Sequence, residues 1–456
     1  MSAGDGVGFS IDPTTVREWK RYPEYTDSGV DWIGEVPAGW ETSSIKRHFS
    51  VQLGKMLQNQ PNGPGDTLRP YLRAANISWG KVLVDDIKEM WFSESEKAQY
   101  RIEKGDLLVS EGGDVGRAAL WNDELDECYI QNAINRVRDR NGALTSHLYY
   151  WIYFLKHVGY IDILCNKATI AHYTAEKVMN TVYLRPPLPE QHAIAAFLDR
   201  ETARIDALIA KKRRFIELLE EKRQALITQA VTKGLDPDVE MKDSGVEWLG
   251  EVPAGWLVTT LRRICRVQQG LQIPQAERYY DPGLGRLEYI TVKSIHTEDA
   301  KDIKEYIQNP PERVICHPED ILFARTGATG EVITGYCGAF HNNFFKVVYD
   351  KRSACKDFLV YYLQNDLIKQ HFCLMAGTTT IPDLNHNEFL DSPAVLPPLL
   401  EQMEIVNYIN SAMDMLAQQK ESASQSVALL DEYRTALITA AVTGKIDVRG
   451  EVPANP

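Results

Sequence analysis

The chain has 456 residues, of which 44% are hydrophobic and 25% charged, and these proportions are typical of folded globular domains. No apolar run approaches the roughly 18 residues of a membrane span, and the N-terminus lacks the basic and apolar segments of a secretory signal. The seven cysteines are odd in number and include no Cys-x-x-Cys pair, which argues against a disulfide framework and a zinc site. These features predict a cytoplasmic protein.

The net charge of −13 does not favour a uniformly basic, nucleic-acid-binding surface. The charge is unevenly distributed along the chain, however. Residues 41–185 carry 18 basic and 18 acidic side chains, and residues 257–395 carry 15 and 17. These two stretches are therefore close to neutral, and local basic faces on them are compatible with phosphate contacts.

In chain order, the first distinctive feature is a phrase that occurs twice. Residues 27–40 read DSGVDWIGEVPAGW, residues 243–256 read DSGVEWLGEVPAGW, and residues 450–454 begin the phrase again as GEVPA. The two full copies are identical at 12 of 14 positions. A match of this length predicts an internal duplication. The third start predicts a cyclic repeat, in which the end of the chain returns to the start of the first unit.

Further segments repeat in the same order, and each unit is about 210 residues long. The matching segments are 105–116 with 319–330, 185–191 with 396–402, and 225–232 with 436–443. The stretches 57–165 and 273–375 have little in common. The repeated segments are thus present in both units, whereas the sequence between them differs. Each unit is long enough to form its own core.

The loops 113–116 and 327–330 each begin and end with glycine and lie between strand-like runs. This pattern predicts hairpin turns with positive φ. A second interpretation is a loop tip that enters a DNA groove. Arg325 and Thr326 suit such a contact, whereas Glu111 does not suit phosphate but can accept a hydrogen bond from cytosine.

Residues 190–231 and 401–442 contain no glycine or proline, and good helix formers dominate both stretches. They predict two helices, the first roughly 60 Å long. Apolar residues close to a heptad a/d pattern predict that the two helices pair with each other and carry the partner-binding surface. The residues expected in this seam are Leu198, Ile205, Leu208, Phe215, Leu219, Leu226, Leu416, Leu430 and Leu437. The basic run 211–214 is more typical of a solvated helix face than of a phosphate contact.

Together, the phrase, the proline-rich entry and the helix resemble the specificity subunit of type I restriction-modification systems. The resemblance spans residues 27–452, and the segments that carry it are 33–40, 188–191, 249–256 and 399–402. Leu400, where the first copy has Pro189, is a small departure from the pattern.

This resemblance implies what the chain binds. In that family, two target-recognition domains each read half of a split double-stranded DNA sequence, and two conserved helical regions dock two modification subunits. The specificity subunit performs no chemistry and takes no cofactor. S-adenosylmethionine, ATP and Mg are expected in the modification and restriction subunits of a complex that serves phage defence.

On this basis we expect an α/β (α+β) fold with two globular target-recognition domains. Two long antiparallel coiled-coil helices separate these domains in an internal pseudo-twofold, cyclic repeat. The predicted divisions are an N-terminal arm (1–26), target-recognition domain 1 (27–185), helical region 1 (186–242), target-recognition domain 2 (243–395) and helical region 2 (396–456). The candidate DNA contacts are Lys55, Arg73, Asn76 and Arg117 in the first domain, and Lys293, Arg325 and Thr326 in the second.

No catalytic residue or metal ligand is predicted. Segment 309–312 reads NPPE and lacks the aromatic residue that stacks on a flipped adenine in adenine methyltransferases. The glycine-rich run 4–8 lies outside any βαβ unit, and there is no P-loop. The main alternative is a duplicated scaffold that binds proteins without direct DNA readout. A stand-alone methyltransferase is disfavoured because the cofactor site is missing.

Overall fold

The structure is a computed structural model that describes residues 19–140, 142–165, 171–293, 304–377 and 383–451. The glycine-rich run 4–8 and residues 452–454 of the third phrase lie outside the described residues. The chain forms two compact units, the first with residues 1–211 and 426–456 and the second with residues 212–425. Each unit therefore combines one globular domain with part of each long helix.

The first unit begins with short strands and ends its globular part at a long helix. Its strands are β1 (Tyr25–Asp27), β2 (Glu35–Pro37), β3 (Glu41–Ser44), β4 (Phe49–Leu53), β5 (Thr67–Leu72), β6 (Ile77–Ser78), β7 (Lys81–Val82), β8 (Lys88–Phe92), β9 (Leu107–Ser110), β10 (Ala118–Leu120), β11 (Tyr129–Ile130), β12 (Ile134–Asp139) and β13 (Val182–Arg185). Its helices are α1 (Glu94–Tyr100), α2 (Thr145–His157), α3 (Tyr160–Leu164), α4 (Ala175–Asn180) and α5 (Leu188–Lys233), which continues into the second unit.

Two sheets lie at the centre of the first globular domain. One has the antiparallel order β10-β9-β12-β4, and in the other β5 lies between β11, to which it is parallel, and β8. All four residues of β9 are buried, because successive side chains of a strand point to opposite faces and both faces are covered. Leu107 and Val109 belong to the core with α2, whereas Leu108 packs in a second core with Trp121 and Ile130.

The second unit contains the corresponding elements. Its strands are β14 (Met241–Asp243), β15 (Glu251–Pro253), β16 (Leu257–Thr260), β17 (Cys265–Gln269), β18 (Arg286–Ile290), β19 (Tyr306–Gln308), β20 (Ile315–Cys316), β21 (Ile321–Ala324), β22 (Val332–Ile333), β23 (Gly338–Phe340), β24 (Phe344–Tyr349) and β25 (Pro393–Leu396). Its helices are α6 (Leu261–Ile264), α7 (Lys356–Gln364), α8 (Asp366–Met375), α9 (His386–Asp391) and α10 (Leu399–Val442), whose last part returns to the first unit.

The strand order of the second domain repeats that of the first. The sheet β17-β24-β21-β22 corresponds to β4-β12-β9-β10, and β18 is parallel to β23 as β5 is to β11. The internal duplication read from the sequence is therefore confirmed in the strand pairing, including the stretches whose sequences differ. The mixed fold class, with globular domains and long helices, is confirmed as well.

The repeated phrase is tied to the repeated helix by one buried hydrogen bond in each unit. The indole Nε1 of Trp40 donates to Glu190 Oε2 at 2.8 Å, and Nε1 of Trp256 donates to Glu401 Oε1 at 2.9 Å. Trp40 and Trp256 are 7% and 2% exposed. A hydrogen bond to a carboxylate is stronger than one between neutral groups, so this contact fixes each phrase against the first turn of a long helix.

The glutamine after this glutamate makes an equivalent hydrogen bond in each unit. Gln191 Oε1 accepts from the backbone N–H of Leu144 at 2.9 Å, where α2 begins. Gln402 Oε1 accepts from the N–H of Cys355 at 2.8 Å, where α7 begins. Each glutamine thereby satisfies an orphan helix donor, and it links the aromatic-rich helix of its domain to a long helix.

The segment after α10 contacts the first phrase, and the end of α5 makes the equivalent contact with the second phrase. After α10, Lys445 Nζ donates to the carbonyl oxygen of Glu35 at 3.1 Å. At the end of α5, the ammonium of Lys233 donates to the carbonyl oxygen of Glu251, the residue that corresponds to Glu35. The cyclic repeat predicted from the third start of the phrase is thus visible within the first unit.

The long helices run antiparallel within each unit. In the first unit, Arg434 Nε pairs with Asp206 Oδ1 at 3.0 Å, and in the second Lys420 Nζ pairs with Glu220 Oε1 at 2.6 Å. Among the described residues, no helix is long and apolar enough to cross a membrane.

The buried face of α5 follows alternating four- and three-residue steps. The buried or partly buried positions that follow these steps are Leu198, Thr202, Ile205, Ile209, Lys212, Ile216, Leu219, Arg223, Leu226 and Ala230. The predicted seam positions Leu198, Ile205, Leu219 and Leu226 are buried or partly buried on α5, as are Leu416, Leu430 and Leu437 on α10. Their role in partner binding stays a prediction.

The seam prediction is wrong for Leu208 and Phe215, which are 39% and 45% exposed. From Ile205 a helix reaches the same face again at either the third or the fourth residue, since its period is 3.6. Both choices are apolar in this sequence, and the fold uses the four-residue step to Ile209 and Ile216. Leu208 and Phe215 consequently face away from the seam.

We predict that Ile209→Asp and Leu208→Asp, one residue apart, differ sharply in stability. Ile209 is 5% exposed, and an unpaired charge there should lower the free energy of unfolding by about 3 kcal/mol or more. Leu208→Asp should lower it by less than about 1 kcal/mol because the side chain faces solvent. Urea unfolding of the full chain measures both values, and equal losses would contradict this seam.

A second prediction concerns Gly270, whose role is shared by Gly54. A Cβ on Gly270 would overlap the carbonyl oxygens of Phe340 and His341. Gly270→Ala should therefore lower the unfolding free energy by about 1–3 kcal/mol. The matched control is Gly255→Ala, where a Cβ meets nothing within 4 Å. Thermal unfolding of both variants tests this, and an unchanged midpoint for Gly270→Ala would contradict the close approach.

Candidate nucleic-acid interface

Three separate stretches of each domain meet at one surface, which we call the hairpin face. In the first domain it consists of residues 73–75, 111–117 and 131–133. Arg117 Nη2 donates to the carbonyl oxygen of Ala74 at 3.4 Å, and Glu111 N–H donates to Ala133 O at 2.9 Å.

The hairpin face of the second domain consists of residues 291–293, 325–331 and 341–343. Arg325 N–H donates to Asn343 O at 2.7 Å. The position that a Cβ of Gly327 would occupy lies 3.9 Å from the side chains of Val292 and Asn343. Candidates from distant parts of the sequence, Lys293 and Arg325, are thus brought together.

The predicted hairpin turns are confirmed, with φ of 72° and 83° at Gly113 and Gly116 and of 81° and 90° at Gly327 and Gly330. The same backbone bonds close both turns. They are Ser110 N to Arg117 O (2.8 Å) and Gly116 N to Ser110 O (2.9 Å), repeated as Ala324 N to Glu331 O (2.8 Å) and Gly330 N to Ala324 O (2.9 Å). The two faces therefore share one main-chain geometry and differ in their side chains.

Arg73 and Arg117 are the predicted residues that reach the hairpin face of the first domain. Arg73 forms an ion pair with Asp86, and Arg117 Nε lies 3.7 Å from Asp114 Oδ2. Both arginine side chains are 27% exposed. Ion pairs at exposed positions contribute little free energy, so phosphate can compete for these guanidinium groups.

Lys55 and Asn76 are wrong as direct DNA contacts. Lys55 is 6% exposed, forms an ion pair with Glu96 and lies 5.1 Å from the ring centroid of Phe92. Asn76 is 3% exposed, and its amide donates to Leu83 O at 2.8 Å. A polar side chain can bind a ligand, or it can hydrogen-bond to buried groups of its own domain. The residue type alone does not tell which of the two applies.

Lys293 is exposed and lines a cavity of about 170 Å³ in the second domain. Arg278 and Glu305 also line the cavity and pair at 2.8 Å. His341 and Asn343 complete the polar lining, and burial lowers the pKa of His341 below its ordinary value. The cavity adjoins the hairpin face because Asn343 belongs to both.

Arg325 and Thr326 hold a common carboxylate that the sequence analysis did not select. Arg325 Nη2 donates to Asp383 Oδ2 at 2.7 Å, and the hydroxyl of Thr326 donates to Asp383 Oδ1. The Arg325 side chain is 16% exposed, whereas that of Asp383 is 52% exposed. Asp383 is thus the outer member of this cluster.

The corresponding contact of the first domain has the opposite polarity. Glu111 Oε1 lies 3.9 Å from Nδ1 of His172, and the two side chains are 14% and 52% exposed. Burial raises the pKa of the Glu111 carboxyl above its ordinary value, and its Oε2 is buried without a hydrogen bond. The signal for His172 and Asp383 was present in the sequence, since the alignment that matches 185–191 with 396–402 also pairs these two residues.

The long helices expose apolar side chains outside their seam. On α5 these are Leu208, Phe215 and Leu218, the last 44% exposed. Lys211, Arg213 and Arg214 of the basic run are exposed, whereas Lys212 lies on the buried face. Arg214 Nη1 bonds to Glu217 at 2.9 Å and to Glu221 at 3.1 Å. In the described part of the chain, no group of three or more His, Cys, Asp or Glu side chains is arranged to hold a metal ion.

The chain is similar to known proteins. The family model for the type I restriction modification DNA specificity domain matches residues 37–218 and again 253–423. The type I restriction enzyme MjaIX specificity subunit of Methanocaldococcus jannaschii is 22% identical over 440 residues, which cover 91% of this chain and 95% of that protein.

Two solved structures share the fold at low sequence identity. One, from work on complex assembly and conformational transition of the type I R-M system, has a TM-score of 0.64 at 17% identity and covers 89% of this chain and 98% of its own. The HsdS subunit from Thermoanaerobacter tengcongensis has a TM-score of 0.56 at 19% identity, with 90% and 98% covered. Because the family model matches most of the chain in two ordered copies, this chain belongs to the type I restriction modification DNA specificity family.

Proposed function

We propose that this protein is the DNA specificity subunit of a type I restriction-modification complex, in which each globular domain reads one half of a split double-stranded target. The observation that carries the proposal is the pair of hairpin faces, which repeat one main-chain geometry and carry different side chains. Two domains with the same main-chain geometry and different surface side chains are suited to two different half-sites.

The charge of the domains bears on how such a complex holds DNA. The two variable stretches are near neutral, and phosphate contacts dominate the affinity of most DNA-binding proteins. We therefore assign base selection to this chain, with Arg73, Arg117, Lys293 and Arg325 near the duplex. A basic partner subunit supplies much of the remaining affinity.

The proposed partners are two modification subunits, which dock on the long helices, and the restriction subunits. The exposed apolar residues of α5 support this docking, because a solvated helix has no need of Leu208, Phe215 and Leu218 on its outer face. S-adenosylmethionine, ATP and Mg belong to these partners, and the chain itself is non-catalytic. The complex acts on DNA in the cytoplasm.

The test is methylome sequencing of a host that carries the complete system, with and without a domain exchange. The intact system should methylate a split motif. Replacing residues 257–395 by the matching domain of a related chain should change one half of that motif only, because each domain reads independently. The matched control replaces residues 41–185 and should change the other half. A duplicated protein scaffold would leave the motif unchanged, and a change in both halves would contradict independent reading.

We also predict that Leu208→Asp/Phe215→Asp weakens assembly with the modification subunit at least about tenfold, since apolar anchors dominate protein interfaces. The fold should persist because both side chains are exposed. The control is Ala203→Asp/Ala210→Asp, with the same spacing and charge on another face of α5, where both alanines are exposed. Native mass spectrometry of the co-expressed subunits gives the result, and full assembly of the first variant would remove this face from the interface.

A further inference from the structure

The contact between the hairpin and the chain before the last small helix of each domain is the same in both domains, except for its polarity. In the first domain an acceptor, Glu111, lies beneath a potential donor, His172. In the second a donor, Arg325, lies beneath an acceptor, Asp383. The meaning of this inversion depends on the proposed function, since it concerns how each domain selects bases.

The inversion arises from the side chains alone. The Tyr173 N–H donates to Glu111 O at 2.9 Å, and the Leu384 N–H donates to Arg325 O at 3.1 Å. These bonds join the same two segments in each domain. The main chain therefore places the inner and outer residues at equivalent positions. The side-chain contacts differ, since Arg325 and Thr326 both donate to Asp383, whereas Glu111 Oε1 lies 3.9 Å from His172 Nδ1.

The exposure of the pair is also equivalent. The inner side chains are 14% and 16% exposed, and both outer side chains are 52% exposed. A ligand approaching either hairpin face thus meets the outer residue first. In the second domain the inner Arg325 holds the outer Asp383 by a 2.7 Å hydrogen bond, whereas Glu111 Oε1 lies 3.9 Å from the His172 ring.

Asp383 is prepared for such a contact. Arg325 and Thr326 each donate to one of its carboxylate oxygens, and each oxygen of an ionised carboxylate has a further lone pair to offer. Asp383 therefore presents a fixed acceptor without a donor. His172 instead presents an imidazole with an N–H donor.

We propose that His172 and Asp383 read bases in the two half-sites, and that Glu111 and Arg325 are the positioning residues beneath them. Asp383 accepts a hydrogen bond from an exocyclic amine in the major groove, N4 of cytosine or N6 of adenine. His172 donates to an acceptor on a base edge, for which O6 and N7 of guanine are suited. The two half-sites consequently differ in hydrogen-bonding character at these positions.

The experiment reverses the polarity of one domain at a time in the complete complex. Glu111→Arg/His172→Asp gives the first domain the charge arrangement of the second, and Arg325→Glu/Asp383→His does the opposite. Methylome sequencing should show a change at one base position in one half-site for the first variant and in the other half-site for the second. Methylation of the original base at that position should fall on the order of tenfold. After the first variant, the new base should be one with an exocyclic amine.

The matched control is Arg262→Asp/Asp391→Arg, which reverses an exposed 2.7 Å ion pair at the other end of α9. It should leave the motif unchanged. His172→Gln and Asp383→Asn, which keep the approximate size of the outer residue, should relax recognition at the same single positions. The proposal would be overturned if these variants and the reversals still methylated the wild-type motif. It would also be overturned if a variant changed both half-sites.

Complete loss of methylation is resolved by the unfolding midpoint of the purified variant complex. Loss with a wild-type midpoint supports a lost DNA contact. Loss with a lowered midpoint overturns the proposal, because the pair then only fastens the chain to the hairpin. If the intact system methylates no split motif, the proposed function fails, and this outcome is separate from every result with the variants.

Discussion

The hydrogen bond from a buried tryptophan to the first glutamate of a long helix is the contact on which the remaining structure depends. Trp40 and Glu190 form it in the first unit, and Trp256 and Glu401 form it in the second. The bond joins the two most closely repeated parts of the sequence, the phrase and the proline-rich entry to the helix. It accounts for the tryptophan of the phrase, since a buried indole N–H requires an acceptor, and the half-buried carboxylate supplies it.

With each domain fastened to a helix start in this way, the interior of the domain is free to vary. Gln191 and Gln402 add a second link from each long helix to the domain's aromatic-rich helix. The four-stranded antiparallel sheet then has the same strand order in both domains, although the stretches between the repeated segments share little sequence. The differences in sequence reach the core as well as the loops, since the buried strand β9 reads LLVS where the buried strand β21 reads ILFA.

The long helices carry two apolar surfaces that serve different purposes. The seam is buried within each unit, because a lone helix cannot cover its own apolar stripe. The row with Leu208 and Phe215 is left in solvent. An exposed apolar row on a well-formed helix is typical of a protein-binding surface, which is the role proposed for it above.

The hairpin faces illustrate how a duplicated protein acquires two specificities. The same backbone hydrogen bonds close both turns, so the shared main chain positions the side chains of both hairpins. A change of one or two side chains then alters the hydrogen-bond donors and acceptors at the surface, as between His172 and Asp383. The buried Oε2 of Glu111 has no hydrogen-bond partner, whereas both carboxylate oxygens of Asp383 accept hydrogen bonds.

The sequence by itself determined the duplication, the long helices, the glycine hairpins and the every-seventh seam positions such as Leu198 and Leu219. Each of these is a local pattern or a repeat, and helix period and turn chemistry act locally. Only the tertiary structure decided between Leu208 and Ile209, because both lie within one helical step of Ile205 and the choice depends on the packed partner. The same holds for Lys55 and Asn76, which complete buried hydrogen bonds with residues distant in sequence, and for Asp383, which reaches Arg325 only through the folding of the domain. Burial and long-range pairing depend on the whole fold, and residue type at one position does not contain that information.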